Sequence, residues 1–134
     1  MLPFRIELVP AIPVYEQLVS AVTRAVVSGE LKAGDAFPSV RTISQALRIN
    51  PNTAQKAVAQ LTALGLLHVH PGVGTRVAVP PPASRASSTT HLRPQAADLV
   101  LEARRRGLSL ADVTDLVEAE WQRLDPVRKG ARRG

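Results

Sequence analysis

The chain has 134 residues and no cysteine, which allows one ordinary domain or two small ones and excludes a disulfide framework, a thiolate nucleophile and a cysteine-based zinc site. Its formal charge is +6, a balance that suits phosphates or an acidic surface as partners. No apolar run reaches the roughly 18 residues of a membrane-spanning helix, so no membrane partner is expected.

The N-terminal stretch MLPFRIELVP carries Arg5 and Glu7 inside a short apolar segment and lacks a signal-peptide pattern, so a cytoplasmic location is expected. An extended stretch leads to Pro13, which suits a first helical position. Val14, Leu18, Val22, Ala25 and Val26 then recur at helical spacing until Gly29. LKAGDAFP reads as a loop broken by Gly34 and Pro38. Ser39 can cap a second helix through Leu47, with Val40, Ile43 and Leu47 on one face. A third helix starts at Asn50 and places Ala54, Ala57, Val58, Leu61 and Leu64 on its apolar stripe before Gly65. The period then changes to two: Leu67, Val69, Val77 and Val79 alternate with His68, His70, Arg76 and Ala78 around PGVGT, a β-hairpin pattern.

PPPASRASSTTH, residues 80–91, has the composition of a linker. Beyond it, residues 92–126 form a second helical unit. Leu92, Ala96, Leu99, Val100 and Ala103 make one stripe, and Gly107 closes it. Ser109 with Asp112 can form an N-terminal cap pair, and Leu110, Val113, Leu116, Val117, Trp121 and Leu124 make a second stripe. Residues 127–134 are a basic tail expected to be disordered. A two-helix hairpin cannot enclose a core of its own. It must pack on residues 1–79 or on a second copy of itself, and the linker favours a twofold homodimer. The residues expected at that interface are Leu99, Val100, Ala103, Leu110, Val113, Leu116, Val117, Trp121 and Leu124. The expected fold class is therefore mainly α with a small β-hairpin: an N-terminal winged helix-turn-helix over residues 1–79, then a C-terminal two-helix dimerisation hairpin.

In a winged helix-turn-helix the third helix enters the DNA major groove by its N-terminal end. Asn and Gln can pair with adenine, Thr can contact a base edge or a thymine methyl, and Lys reaches guanine or phosphate. Asn50, Asn52, Thr53, Gln55 and Lys56 supply that set, with Asn50 also placed to cap the helix ahead of Pro51. Ser39 and Arg41 lie at the start of the second helix, beside the expected DNA backbone. Gly72 and Gly74 let the wing backbone approach DNA closely, and Thr75 and Arg76 add a hydroxyl and a charge. No Asp or Glu occurs from Ala36 to Ala97, whereas Arg41, Arg48, Lys56, Arg76, Arg85 and Arg93 do. A solvated basic face is the plainer reading of that charge pattern. His68 and His70 share a strand face but have no third ligand, so no metal and no cofactor are expected.

The segment from Ile12 to Val79 resembles the N-terminal domain of GntR-family bacterial transcriptional regulators. The resemblance rests on the spaced set Tyr-x-Gln-Leu, Ser-Gly-x-Leu-x-x-Gly-Asp, Pro-Ser-x-Arg, Asn-Pro-Asn-Thr, Leu-x-x-x-Gly-Leu and Gly-x-Gly-Thr. ARRRGLSLADVTDLVEAEW is similar to the short two-helix tail of the YtrA subfamily. The resemblance implies DNA contacts at Arg41, at Asn50, Asn52, Thr53, Gln55 and Lys56, and a minor-groove contact at Gly72. It also implies a regulator, expected to be a repressor of a small operon (a transporter operon in this subfamily), acting on an inverted-repeat operator in double-stranded DNA. The sequence departs from the pattern at Thr42, where an acid often stands, and at Arg48, where Gly is usual. If the family backbone is kept, Arg48 sits at positive φ. The competing function is a winged-helix protein-interaction module. An enzyme is not expected, since Gly-x-Gly-Thr lies in a hairpin rather than between a strand and a helix. No residue set specifies a small-molecule effector.

Overall fold

The computed structural model describes residues 2–78 and 83–124. Val79, residues 80–82 of the expected linker, and the basic tail with the last residues of the expected hairpin lie outside them. The chain divides into two compact units, residues 1–80 and 81–134.

In the first unit the elements run α1 (Val14–Ser28), β1 (Ala36–Phe37), α2 (Val40–Leu47), α3 (Pro51–Ala63), β2 (Leu67–His70) and β3 (Gly74–Val77). Leu18, Ala21, Val22 and Ala25 form the buried stripe of α1. Pro13 is the N-cap of that helix and not its first residue; its carbonyl accepts from the N–H groups of Glu16 and Gln17. Ala54, Ala57, Val58 and Leu61 form the buried stripe of α3, which packs on α1, α2 and β2. Leu64, expected on that stripe, is exposed. It is the C-cap residue, and the chain turns away at Gly65, so Leu66 meets the core in its place.

The sheet has three antiparallel strands in the order β1-β3-β2. β1 falls inside the stretch read as a loop. Two residues are too short to show a period of two, and the strand exists through its pairing with β3: Ala36 faces Arg76 and Phe37 faces Thr75. Around it, the Gly34 N–H donates to the Val77 carbonyl at 2.8 Å and the Val77 N–H to the Asp35 carbonyl at 2.9 Å. Phe37 stacks on Phe4 with ring centres 5.7 Å apart, so the N-terminal segment joins the core. Leu67 and Val77 are buried at the base of the hairpin, whereas Val69 is exposed. The alternation is present, but among the described residues nothing covers the hairpin's outer half.

The second unit contains α4 (Arg85–Arg105) and α5 (Leu110–Arg123). α4 begins inside the stretch read as a linker, where the Ser84 side chain accepts from the Ser87 N–H at 3.0 Å. Ser and Thr lower helix propensity by well under about 1 kcal/mol each. The Ser84 cap offsets part of that, and the helix runs on through Pro94. The Ser109–Asp112 capping box forms at the start of α5. Hydrogen bonds from Ser109, its backbone N–H first, hold the Asp112 carboxyl below the usual aspartate range, so its contribution to the cap is fully present above that range and is lost as pH falls through the lowered folded-state value. Glu102 is held low by Arg105 and then Arg106. Among the described residues no helix is long and apolar enough to cross a membrane.

Candidate nucleic-acid interface

The site is built from three local structures: the start of α2, the turn into α3, and the hairpin. At the start of α2 the Ser39 hydroxyl accepts from the Thr42 N–H at 3.1 Å and donates to the Thr42 hydroxyl at 3.0 Å. Ser39 is thus occupied as a cap, and Thr42 supports it. Arg41 stands exposed in the first turn, which carries no acid to offset the positive end of the helix dipole.

α2 ends in a left-handed residue, Arg48, with φ 56° and ψ 51°. It is the sole non-glycine residue at positive φ among the described residues, and the conformation costs a side chain with a Cβ roughly 1–2 kcal/mol. The family's usual Gly is absent here, yet the backbone it suits is kept. Asn50 then caps α3, its Oδ1 accepting from the Asn52 N–H at 2.7 Å. Pro51 fills the first helical position, where a missing N–H does no harm. The side chain of Asn50 is therefore engaged in starting the helix.

The next polar residues are not so engaged. At about 100° per residue, Asn52, Gln55 and Lys56 share one face of α3, opposite Ala54, Ala57, Val58 and Leu61, and all three are exposed. Thr53 flanks them, half-buried. Within the described residues the side chains of Asn52, Thr53 and Gln55 make no hydrogen bond, leaving their donors and acceptors available to a ligand. The Lys56 ammonium sits 4.0 Å from the centre of the Tyr15 ring, a cation–π contact worth about 0.5–1 kcal/mol at an exposed site. That contact steadies a long side chain without neutralising it.

In the hairpin, Gly72 has φ 78° and Gly74 φ 129°. A Cβ at either would meet open space, so these glycines serve the turn's dihedral angles and not a tight packing contact. Thr75 is half-buried and Arg76 exposed. The Arg76 guanidinium donates to the Gly34 carbonyl at 3.1 Å, which ties it to the loop before β1 and leaves its remaining donors outward. The His68 and His70 rings meet edge to face at 4.4 Å. Among the described residues no group of three or more His, Asp or Glu is arranged to hold a metal ion.

Two contributors were not foreseen as such. The Gln17 side chain accepts from the Val9 N–H at 2.8 Å and donates to the Val9 carbonyl at 2.8 Å and the Ile12 carbonyl at 2.7 Å. It pins the N-terminal segment that delivers Phe4 to the core. Tyr15 supplies the ring beneath Lys56. Both stand in the Tyr-x-Gln-Leu motif, which was the available signal, but their partners are fixed by folding.

In the second unit Val100, Ala103, Leu110 and Val113 line one open groove of about 340 Å³ at the helix turn. Val113, Val117 and Trp121 line a second apolar surface. Leu99, Val100, Leu116, Val117 and Trp121 are exposed, Leu110 is 82 % exposed, and Val113 and Leu124 are half-buried. Ala103, at 4 %, is the one buried side chain among the unit's described residues.

Comparison with known proteins agrees with this architecture. A family profile described as "Bacterial regulatory proteins, gntR family" matches residues 14–77. The HTH-type transcriptional repressor YtrA of Bacillus subtilis is 28 % identical over 112 residues, covering 79 % of this chain and 82 % of that protein. The crystal structure of a transcriptional antiterminator from Listeria monocytogenes superposes with a TM-score of 0.79 at 25 % identity, covering 90 % of this chain and 91 % of that one. A transcriptional regulator from Oenococcus oeni gives a TM-score of 0.59 at 28 % identity over 87 % of this chain and 97 % of that one. Residues 14–77 match the GntR family of bacterial regulatory proteins, and most of the chain is similar to the YtrA repressor, so the comparisons support a YtrA-like GntR transcriptional regulator with a DNA-binding winged helix-turn-helix.

Proposed function

We propose that the chain acts as a homodimer on an inverted-repeat operator, with α3 in the major groove, the β2–β3 wing near the minor groove, and repression as the outcome. The observation that carries this reading is the start of α3: Asn50 is occupied by capping, while Asn52, Gln55 and Lys56 face outward together from an acid-free stretch of chain. Asn52, Thr53 and Gln55 would read base edges, and Arg41, Lys56 and Arg76 would contact phosphates. Gly72, Gly74 and Thr75 would set the approach of the wing. The second unit would pair with its copy through the faces bearing Leu99, Leu116 and Trp121, which leaves two reading heads for half-sites about one helical turn apart. Repression is supported by the similarity to the Bacillus transcriptional repressor, and by the block that a bound dimer imposes at a promoter. A transporter operon is the regulated unit suggested by the subfamily resemblance.

Binding to a duplex whose affinity falls steeply with salt tests the reading. Salt-insensitive binding, or none, would favour the protein-interaction alternative. Two substitutions separate the roles within the site. Gln55→Ala should relax preference at one base pair by about 1–3 kcal/mol, measured against single-base operator variants; an equal loss on every sequence contradicts base reading. Arg41→Ala should weaken operator and mixed-sequence binding together and reduce the salt slope by about 1. An unchanged slope removes Arg41 from the interface.

A further inference from the structure

Three helices in this chain end in the same way. After α3, Gly65 takes φ 82° and the Leu66 N–H reaches back to the Leu61 carbonyl at 2.9 Å. After α4, Gly107 takes φ 80° and the Leu108 N–H reaches the Ala103 carbonyl at 2.9 Å. After α2, Arg48 takes φ 56° and the Ile49 N–H reaches the Ser44 carbonyl at 3.0 Å. The left-handed position of this closure favours glycine, which has no Cβ to clash. Twice the chain uses glycine, and once it uses arginine at a strained position.

Strain of this kind persists where the side chain is needed, and nothing inside the described structure needs this one. Arg48 is exposed, and within the described residues its guanidinium takes part in no hydrogen bond or ion pair. Its place is specific. It lies two residues before the cap of α3, in the connection from the Arg41-bearing helix, within the stretch from Ala36 to Ala97 that has no acid. A guanidinium presents a planar fork of donors that fits two phosphate oxygens at once.

We propose that Arg48 is a phosphate contact to the DNA backbone, retained against its backbone preference for that charge. It lies in the turn and not on the α3 face of Asn52 and Gln55, so it positions the helix without reading sequence. The proposal rests on the DNA-binding reading above and adds a residue that the family pattern, with glycine there, does not supply.

The test compares wild type with Arg48→Lys, Arg48→Gln and Arg48→Gly, on a selected operator and on a mixed-sequence duplex, across a salt series. Gln keeps the Cβ and its strain but is shorter and loses the charge; Gly relieves the strain as well. Both should weaken the two duplexes by the same factor, about tenfold at low salt, and reduce the salt slope by about 1, while Lys keeps the slope. Arg48→Gly should also raise the thermal midpoint. Wild-type affinity and slope in the Gln and Gly variants would overturn the proposal, as would a loss confined to the operator. A lowered thermal midpoint in Arg48→Gly, with all three variants weakened alike, would assign Arg48 a structural role instead. If wild type binds neither duplex in a salt-dependent way, the DNA-binding reading itself falls and takes this proposal with it.

Discussion

Trp121→Ala is expected to shift the protein from dimer to monomer in sedimentation, with a loss of about 2 kcal/mol or more, roughly thirtyfold in dissociation constant. The reason lies in the second unit's own packing. Two helices joined by a tight turn bury one side chain among the described residues, Ala103, and leave Trp121 76 % exposed. A large aromatic left uncovered beside Val113 and Val117, on a surface that also carries Thr114 and Glu118, is the kind of residue that anchors an interface. The chain contains a single tryptophan, so wild-type fluorescence offers an independent reading: emission should shift to the red on dilution as the indole leaves the interface. An unaltered sedimentation coefficient in Trp121→Ala, or emission independent of concentration, would count against a dimer built on this face.

Leu61→Ala is expected to destabilise the first unit by about 2–5 kcal/mol, read as a lower denaturation midpoint by circular dichroism. Leu61 is fully buried on α3, the helix that packs on α1, α2 and β2. Its loss removes buried apolar surface and leaves a cavity that rigid neighbours fill only in part. Total stabilities run to about 5–15 kcal/mol and small domains sit at the low end, so DNA binding near 37 °C should fall with it. Leu64→Ala, one turn on, should change stability by less than about 0.5 kcal/mol, because Leu64 is exposed. Equal effects at the two positions would mean that Leu64 is covered in solution.

That pair shows where sequence reading stops. Leu61 and Leu64 occupy equivalent places on a helical stripe, and periodicity cannot tell them apart. The cap at Asn50, the Ser109–Asp112 box and the left-handed closures at Gly65 and Gly107 were legible because each depends on a few neighbouring residues. The outward polar face of α3 was legible for the same reason: a helix's pitch assigns faces once its start is known. β1 was not, since its two residues become a strand by pairing with Arg76 and Thr75, some forty positions away. Nor was the early start of α4, where composition spoke for a linker and the Ser84 cap decided otherwise.

The amino-acid order by itself determined the caps at Asn50 and Ser109, the helix stops at Gly65 and Gly107, the acid-free window and the cluster of donors and acceptors opening α3. Those follow from dihedral preference, local hydrogen bonding and charge, which act over a turn or two. Tertiary structure alone decided that Phe4 reaches the core, that Val69 and Leu64 stay uncovered, that Lys56 lies on Tyr15, and that Arg76 is tied to Gly34. Burial and long-range pairing depend on which distant element lies over a residue, and no local pattern records that.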